Sequence, residues 1–293
     1  MRLVSFGPPG NERPGVVVGQ AVLDLLRCDP KLPGTLREIL AQERLPDVRR
    51  LAAAPPQAAL VPLAATRLGP PIPTPSKIIC LGLNYADHAA EGKRPLPEAP
   101  LLFAKAPSAL CGPHDVILLP PDERVDIEAE LAFVIGCRAR HVAAAAAAPV
   151  IAGYMCFNDV SGRAAQFADR QWFRGKSYDT FAPCGPWLVT CDEVPDPHGL
   201  AIRSRLNDRV MQEAHTSQLV FRIPQLVEYI TRGMTLLPGD IVATGTPEGV
   251  GVFREPPVFV QDGDSVEVSI EGIGVLSNRA RAASPSGAVA PEV

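Results

Sequence analysis

The sequence of 293 residues has no pair of cysteines spaced as C-x-x-C, and its seven cysteines are odd in number and scattered. Such a set indicates neither a disulfide framework nor a zinc ribbon, so we interpret the cysteines as reduced thiols. The N-terminus lacks the apolar core of a secretory signal, and no apolar run is long enough to cross a bilayer. These absences predict a cytoplasmic protein without a membrane partner.

An excess of basic charge is also missing. The chain has 28 lysines and arginines against 32 aspartates and glutamates, which gives a net charge of −4. A protein without a basic field has little electrostatic attraction for phosphate backbones, so we expect no nucleic-acid partner. Hydrophobic residues make up 46% of the chain and charged residues 20%, a composition typical of a globular protein rather than a disordered one.

The beginning of the chain predicts a small α/β domain, residues 1–68. Its predicted elements are strands at Arg2–Phe6 and Gly15–Val18 and a helix near Thr35–Glu43. A proline-rich stretch follows at residues 69–76, and it predicts a linker because proline disfavours regular structure.

Short β-type runs separated by turns dominate residues 77–282. The predicted helical segments in this part are few: Tyr85–Glu91, the alanine run Ala143–Ala148 and Ile223–Arg232. This pattern favours a mixed sheet over a regular βαβ winding, so the predicted fold class is α+β and strand-rich. Residues 283–293 are rich in serine, proline, glycine and alanine, and they predict a disordered tail.

Two glutamates at alternate positions, Glu128 and Glu130, begin an apolar strand that extends to Ile135. Both side chains project from one face because side chains alternate along a strand. Adjacent carboxylates repel unless solvent screens them, a proton is shared or a cation neutralises them. Asp159, at the end of the candidate strand Ile151–Asn158, offers a third carboxylate. Such a set suits a hard cation, Mg²⁺ first, with Mn²⁺ and Ca²⁺ as alternatives; the competing interpretation is a solvated strand face.

The predicted helix after Asn84 carries His88 and Glu91 three residues apart, and Asn84 can cap it. A carboxylate bonded to one imidazole nitrogen fixes the tautomer and raises the basicity of the other nitrogen. The pair therefore has the composition of a general base that activates water. The alternative is an incidental polar pair on a surface helix.

Further polar residues follow the three acids. Lys176 lies between small residues and can stabilise an enolate oxygen or a carboxylate beside a cation. Arg163 and Gln166 belong to a run of charge that is also typical of a solvated helix face. The loop Thr244–Pro247 lacks the Gly-Lys-Ser/Thr of a phosphate loop, but its N–H groups and the Thr246 hydroxyl can hold a substrate carboxylate.

In this order, the segments resemble the fumarylacetoacetate hydrolase family from about residue 77 to about residue 274. The resemblance is carried by Gly82-Leu83-Asn84-Tyr85 with His88 and Glu91, Asp126–Leu131, Phe157–Ser161, Gly175–Asp179, Gly185-Pro186, Pro238-Gly239-Asp240 and Thr244–Pro247. It implies a mixed β-roll catalytic domain in a homodimer. The implied site residues are the metal ligands Glu128, Glu130 and Asp159, the catalytic residues His88, Glu91 and Lys176, and the substrate-binding residues Arg163, Gln166 and Thr246. One departure is Ala164, where the family pattern commonly has an acid.

The resemblance implies a small oxo acid as substrate and a Mg²⁺-dependent hydrolase that cleaves a C–C bond of an acylpyruvate-type 2,4-dioxo acid. His88, oriented by Glu91, would deprotonate water, and the departing pyruvate enolate would be stabilised by the cation and Lys176. Three alternatives stay open: isomerisation of 2-hydroxyhepta-2,4-diene-1,7-dioate, decarboxylation or tautomerisation of oxaloacetate, and a catalytically silent metal-binding protein on the same fold.

Overall fold

The computed structural model describes residues 1–283. The strands, in chain order, are β1 (Arg2–Phe6), β2 (Arg13–Val18), β3 (Ala21–Asp24), β4 (Leu60–Pro62), β5 (Ile78–Gly82), β6 (Leu101–Lys105), β7 (Leu110–Cys111), β8 (Val116–Leu119), β9 (Val125–Asp126), β10 (Ala129–Ile135), β11 (Ile151–Asn158), β12 (Ser161–Gly162), β13 (Ala182–Thr190), β14 (Ala201–Leu206), β15 (Arg209–His215), β16 (Ile241–Ala243), β17 (Ser265–Ile270) and β18 (Gly274–Ala282). The helices are α1 (Leu25–Cys28), α2 (Leu36–Ala41), α3 (Leu45–Ala53), α4 (Ala86–Glu91), α5 (Arg163–Ala168), α6 (Phe173–Lys176) and α7 (Ile223–Gly233).

Three sheets organise these strands. The largest has the order β4-β3-β2-β1-β13-β11-β10-β16-β5-β6, with β7 paired to β13, and a second has the order β15-β14-β17-β18-β8. Strands β9 and β12 form a short third sheet. Most pairs are antiparallel, but β5–β16, β7–β13 and β8–β18 are parallel. The prediction of a strand-rich α+β fold with mixed sheets is confirmed.

The central strand β10 is buried on both faces, which explains why its sequence is apolar almost throughout. Ala132 and Val134 belong to one core, together with residues of α2 and α3. Leu131 and Phe133 belong to a second core, together with residues of α7 and of the five-stranded sheet. The interpretation of the two glutamates before and in this strand as a solvated face is therefore wrong.

Local sequence explains several element boundaries. Strand β3 ends at Asp24 because the Asp24 side chain accepts hydrogen bonds from the N–H groups of Leu26 and Arg27 and begins α1. Helix α2 begins with a capping box formed by Thr35 and Glu38.

The predicted helical segment at Ala143–Ala148 is present only as 3₁₀ turns and not as an α-helix. Two short 3₁₀ turns occupy this region, Ala144–Ala146 and Ala148–Val150, and Pro149 in the second turn prevents an α-helix from continuing. Among the elements that were not predicted from the sequence are α3, β15 and β18.

The first four strands continue the large sheet, because β1 pairs with β13. The proline-rich stretch has no regular structure, yet it packs against this sheet: the Ser5 hydroxyl donates to Pro71 O at 2.8 Å, and Ile72 is fully buried. The division into an N-terminal domain, residues 1–68, a linker and a catalytic domain stays a prediction. The predicted disordered tail lies outside the described residues, apart from Ala283.

Candidate active site

Two neighbouring antiparallel strands bring the three predicted metal ligands together. In the β10–β11 ladder Ala129 is opposite Asn158 and Glu130 is opposite Phe157, so Glu128 lies across from Asp159. The Asp159 N–H donates to Glu128 O at 3.0 Å, which extends the ladder by this pair. All three side chains occupy one face at one end of the sheet, because positions 128 and 130 are two apart.

The three carboxylates are buried and close. Glu128 is 5% exposed, Glu130 1% and Asp159 0%, and one oxygen from each lies within 4.8 Å of the others. Oxygen-only ligands in such a cluster are those that Mg²⁺ and Mn²⁺ prefer. The structure therefore fits the predicted cation chemically, while the assignment of these three residues as its ligands stays a prediction.

Two lysines balance part of this negative charge. The Lys176 ammonium donates to Glu128 Oε2 at 2.8 Å and to Asp159 Oδ2 at 2.7 Å. The Lys105 ammonium donates to Asp159 Oδ1 at 2.5 Å and to Val160 O at 3.1 Å. Burial lowers the pKa of Lys105, whereas at Lys176 the charges of Asp159 and Glu128 outweigh burial and raise the pKa.

Two glutamates of the cluster differ in their charge balance. Burial disfavours the Glu128 carboxylate, but the charges of Lys176 and Arg163 outweigh burial and lower its pKa. Burial also acts on Glu130, and there the neighbouring charges of Asp159 and Glu128 add to it, so its pKa is raised well above the usual range. A bound divalent cation would favour the charged form of Glu130. The uncompensated position of Glu130 beside two other carboxylates is therefore the feature of the site that best fits a metal.

The predicted pair of His88 and Glu91 is formed. His88 Nδ1 lies 2.8 Å from Glu91 Oε1, and Glu91 Oε2 accepts a hydrogen bond from Gly249 N at 2.9 Å. The Phe253 ring lies 6.2 Å from the imidazole, centroid to centroid. With Nδ1 bonded to a carboxylate, the Nε2 atom is left to accept a proton.

Asn84 does not cap α4, contrary to the prediction. Tyr85 is the N-cap residue of α4 and makes no side-chain capping bond. The Asn84 amide instead donates to Phe221 O and Thr244 O, and its carbonyl accepts from Phe221 N. Asn84 thus ties the beginning of α4 to two other segments.

Arg163 and Gln166 lie on the buried face of α5, so they do not form a solvated helix face. Arg163 donates to Asp126 Oδ1 and to Glu128 Oε1, each at 2.6 Å, and to Gln166 Oε1 at 2.8 Å. Glu123 supports the start of this helix, because its carboxylate accepts from the N–H of Ala164 at 2.6 Å and of the following residue at 3.1 Å. An acid from another segment therefore supports the helix at the position where the family's own acid is missing.

Thr246 is held by a buried side chain that the sequence did not indicate. The Thr246 hydroxyl donates to Ala129 O at 3.0 Å and accepts from Gln212 Nε2 at 2.7 Å. The Gln212 carbonyl accepts from Ala129 N at 2.8 Å. Because Gly245 N also donates, to Glu130 Oε2 at 2.9 Å, this N–H and the Thr246 proton are already used within the protein. The loop as folded therefore offers a substrate fewer donors than its sequence predicts.

A cavity of about 290 Å³ joins most of these groups. It is lined by six of the nine predicted site residues: His88, Glu128, Arg163, Gln166, Lys176 and Thr246. Glu91, Glu130 and Asp159 lie behind this lining, in direct contact with it or with the loop that carries Thr246. The nine residues thus form one centre, although their individual roles stay predictions.

Sequence reasoning missed four residues that support the centre. They are Lys105, Asp126, Glu123 and Gln212. Of these, only Asp126 could have been found from the sequence, because it belongs to the Asp126–Leu131 motif. The others come from distant segments whose proximity depends on the fold.

Comparison with known proteins agrees with this centre. Residues 77–281 match the family described as fumarylacetoacetate (FAA) hydrolase C-terminal. The chain is 44% identical to the mitochondrial oxaloacetate tautomerase FAHD2A of Bos taurus over 288 residues, which cover 95% of this chain and 91% of the relative.

Solved structures are also similar. A maleylpyruvate hydrolase from Sphingobium sp. SYK-6, in complex with manganese(II) and pyruvate, shares 36% identity and a TM-score of 0.80 over 97% of this chain and 100% of its own. A 5-carboxymethyl-2-hydroxymuconate delta-isomerase from Mycobacterium smegmatis shares 38% identity and a TM-score of 0.76, again over 97% and 100%. These findings define the class of the protein. The chain belongs to the fumarylacetoacetate hydrolase family, whose members compared here are enzymes that tautomerise, hydrolyse or isomerise oxo acids and related compounds.

Proposed function

We propose that this protein is a divalent-metal-dependent enzyme that acts on a 2-oxo acid through its enol form, and that tautomerisation of oxaloacetate is its reaction. The observation that carries the proposal is one cavity lined by His88, Glu128 and Lys176, with the other two buried carboxylates of the cluster and Glu91 directly behind this lining. The 44% identity to an oxaloacetate tautomerase over nearly the whole chain favours this reaction among those in the family.

The proposed cofactor is Mg²⁺ or Mn²⁺ on Glu128, Glu130 and Asp159. A cation there would polarise the 2-oxo group and stabilise negative charge on its oxygen. The manganese in the maleylpyruvate hydrolase structure supports a divalent ion in this fold.

The protein's own groups would move the protons. In the keto-to-enol direction, His88 Nε2 would accept a proton from C3 while the Lys176 ammonium would donate one to the oxygen at C2. The imidazolium then loses its proton to solvent and the Lys176 amine takes one up from solvent, which restores the enzyme and balances the step. Glu91 holds His88 in the tautomer that leaves Nε2 unprotonated, and Gly249 N fixes Glu91. Arg163 keeps Glu128 in place.

A second candidate is hydrolysis of an acylpyruvate-type 2,4-dioxo acid. The His88–Glu91 pair favours it, because the same Nε2 can take a proton from water. The enol chemistry is shared with oxaloacetate decarboxylation and with isomerisation of hydroxydienedioates, so these reactions belong in the same assay. A homodimer and a cytoplasmic location stay predictions; the bovine relative is named as mitochondrial. Within residues 1–283 no helix has the length and apolarity to cross a bilayer.

The test is a panel of oxaloacetate, acetylpyruvate, fumarylpyruvate and a hydroxydienedioate, assayed with Mg²⁺ or Mn²⁺ and with chelator. Enol absorbance, pyruvate release and carbon dioxide release separate the reactions. We expect metal-dependent loss of the oxaloacetate enol signal above the spontaneous rate, reduced roughly 10²- to 10⁴-fold in His88→Ala. Pyruvate release from acetylpyruvate without any effect on oxaloacetate would replace the first candidate by the second.

Absence of turnover on every substrate would overturn both candidates. The silent metal-binding alternative then predicts that Mg²⁺ still raises the melting temperature, since a ligand at a hundredfold excess over its dissociation constant contributes about 2.7 kcal/mol.

A further inference from the structure

We propose that Arg94 and Arg170 form a second anion site at the mouth of the cavity, which binds the distal carboxylate of a dicarboxylic 2-oxo acid. Both residues line the cavity that contains the acidic centre. The inference deepens the proposed function and rests on it for the orientation of the substrate, with the 2-oxo end at the carboxylates and lysine.

The cationic groups that line this cavity are paired unequally. Arg163 and Lys176 are buried, and their N–H groups are bonded to Asp126, Glu128 and Asp159. Arg94 and Arg170 are exposed at the mouth, and neither guanidinium forms an ion pair or a side-chain hydrogen bond with any residue between 1 and 283. The cationic charge that is free to meet a ligand is therefore at the mouth.

The acids nearest to these two arginines in sequence are already used. Asp169 precedes Arg170, but both of its oxygens accept from Arg174, at 2.6 and 2.5 Å. Glu91 precedes Arg94 by three residues, but its oxygens are bonded to His88 and to Gly249 N. Neither of these two acids is therefore available to Arg94 or Arg170, which leaves both guanidinium groups open to an added anion.

Aromatic side chains also line the cavity. Phe103 and Trp172 meet edge to face at 5.1 Å, and the Lys176 ammonium lies 5.3 Å from the Phe103 ring centroid. Phe167 and Phe253 also line the cavity. These rings can contact the carbon chain of a ligand, while its charged groups bind the cationic side chains of the lining. A cavity of about 290 Å³ limits that ligand to a small acid.

This geometry predicts discrimination by charge. Oxaloacetate carries the second carboxylate, whereas its 4-methyl ester lacks that charge while it keeps the 2-oxo acid. A charge-assisted hydrogen bond to a guanidinium corresponds to a roughly 10- to 100-fold preference, so we expect that ratio of kcat/KM between the acid and the ester, expressed mainly in KM. Arg94→Gln and Arg170→Gln should each reduce the ratio, and the double variant should reduce it to near one.

The control variant is Arg209→Gln, because Arg209 is exposed and lies outside the cavity lining. It removes the same charge and should leave the ratio unchanged. Equal turnover of acid and ester by the wild type, or equal losses for both in the arginine variants, would overturn the proposal.

A binding measurement separates this proposal from the proposed function. By calorimetry with Mg²⁺ present, we expect the double variant to lose roughly 10- to 100-fold in affinity for 2-oxoglutarate. Its affinity for oxalate, whose two carboxylates correspond to the 2-oxo end of the substrate and which has no distal carboxylate, should change less than twofold. If the double variant loses affinity only for 2-oxoglutarate and the wild type turns over no substrate, the subsite is supported and the enzymatic proposal is overturned. If the wild type turns over substrate and the double variant loses affinity equally for both ligands, the enzymatic proposal is supported and the subsite is overturned.

Discussion

The two ends of the cavity differ in how their charges are satisfied. At the buried end, three carboxylates and three cationic side chains are bonded to one another: Asp126, Glu128 and Asp159 with Lys105, Arg163 and Lys176. At the mouth, Arg94 follows α4 and Arg170 follows α5, and neither forms an ion pair with a carboxylate of residues 1–283. In the two proposals above, the buried end would supply the chemistry and the mouth would select the substrate.

The largest effect is expected at the buried end, from Glu130→Gln. A neutral amide removes one carboxylate and leaves the cation with a weaker site, so kcat/KM should fall about a thousandfold, equivalent to about 4 kcal/mol of barrier. The rise in melting temperature on addition of Mg²⁺ should also disappear. Asp208→Asn is the matched control, because Asp208 is exposed and far from the cavity lining. A normal metal response in Glu130→Gln would show that the charge at this end does not hold a cation.

The next effect is on stability, from Lys105→Met. This change leaves the fully buried Asp159 without one of its two ammonium partners, and breaking a buried ion pair in this way costs about 3–5 kcal/mol. Urea unfolding should show a lower midpoint, whereas Lys93→Met, on an exposed residue, should stay within about 0.5 kcal/mol. If Lys105→Met is as stable as the wild type, the Lys105–Asp159 ion pair does not contribute to the stability of the protein.

A smaller effect is expected from Glu123→Ala, which removes the two hydrogen bonds to the start of α5. Loss of an acid that caps a helix costs about 1–2 kcal/mol. Because α5 carries Arg163 and Gln166, KM should rise as well. Adding Ala164→Asp to this variant should restore part of both losses, by returning an acid to the position where the family has one. Failure of this rescue, with α5 otherwise intact, would show that Glu123 acts elsewhere.

The smallest expected effect is a pH dependence of stability that comes from His198, which contacts the start of α7. His198 Nε2 accepts a hydrogen bond from Ile223 N at the start of α7, next to the Phe221 backbone that holds Asn84. Burial, with the charge of Arg222, lowers the pKa of His198 below the ordinary value of 6.5. The native state therefore binds fewer protons, so this contribution to stability is complete above pH 6.5 and decreases as the pH falls below it.

His198→Gln tests that dependence, since glutamine keeps an acceptor but does not titrate. We expect the wild type to lose more stability than His198→Gln between pH 7.5 and pH 5.5, measured by thermal unfolding. His215→Gln is the control at an exposed histidine. Identical pH profiles for wild type and His198→Gln would exclude His198 as the source.

Much of the site was predictable because its residues form local patterns. The alternation of Glu128 and Glu130, the i,i+3 spacing of His88 and Glu91 and the order of the motifs depend only on neighbours in sequence. The structure places these groups in one centre and confirms the family and the strand-rich fold. The solvated-face interpretation of the acids was wrong because both faces of a strand can be covered, and the sequence of one strand does not tell what covers it.

The sequence alone therefore determined which acids lie on one face of a strand, which base accompanies them and which family they suggest. Only the tertiary structure decided how their charges are balanced. Lys105 comes from β6, Gln212 from β15 and Glu123 from a loop, and each reaches the centre through contacts of more than thirty residues in sequence separation. Such contacts follow from strand order and packing rather than from local periodicity. For the same physical reason, only the fold shows that Arg94 and Arg170 line the cavity and have no ion-pair partner among residues 1–283.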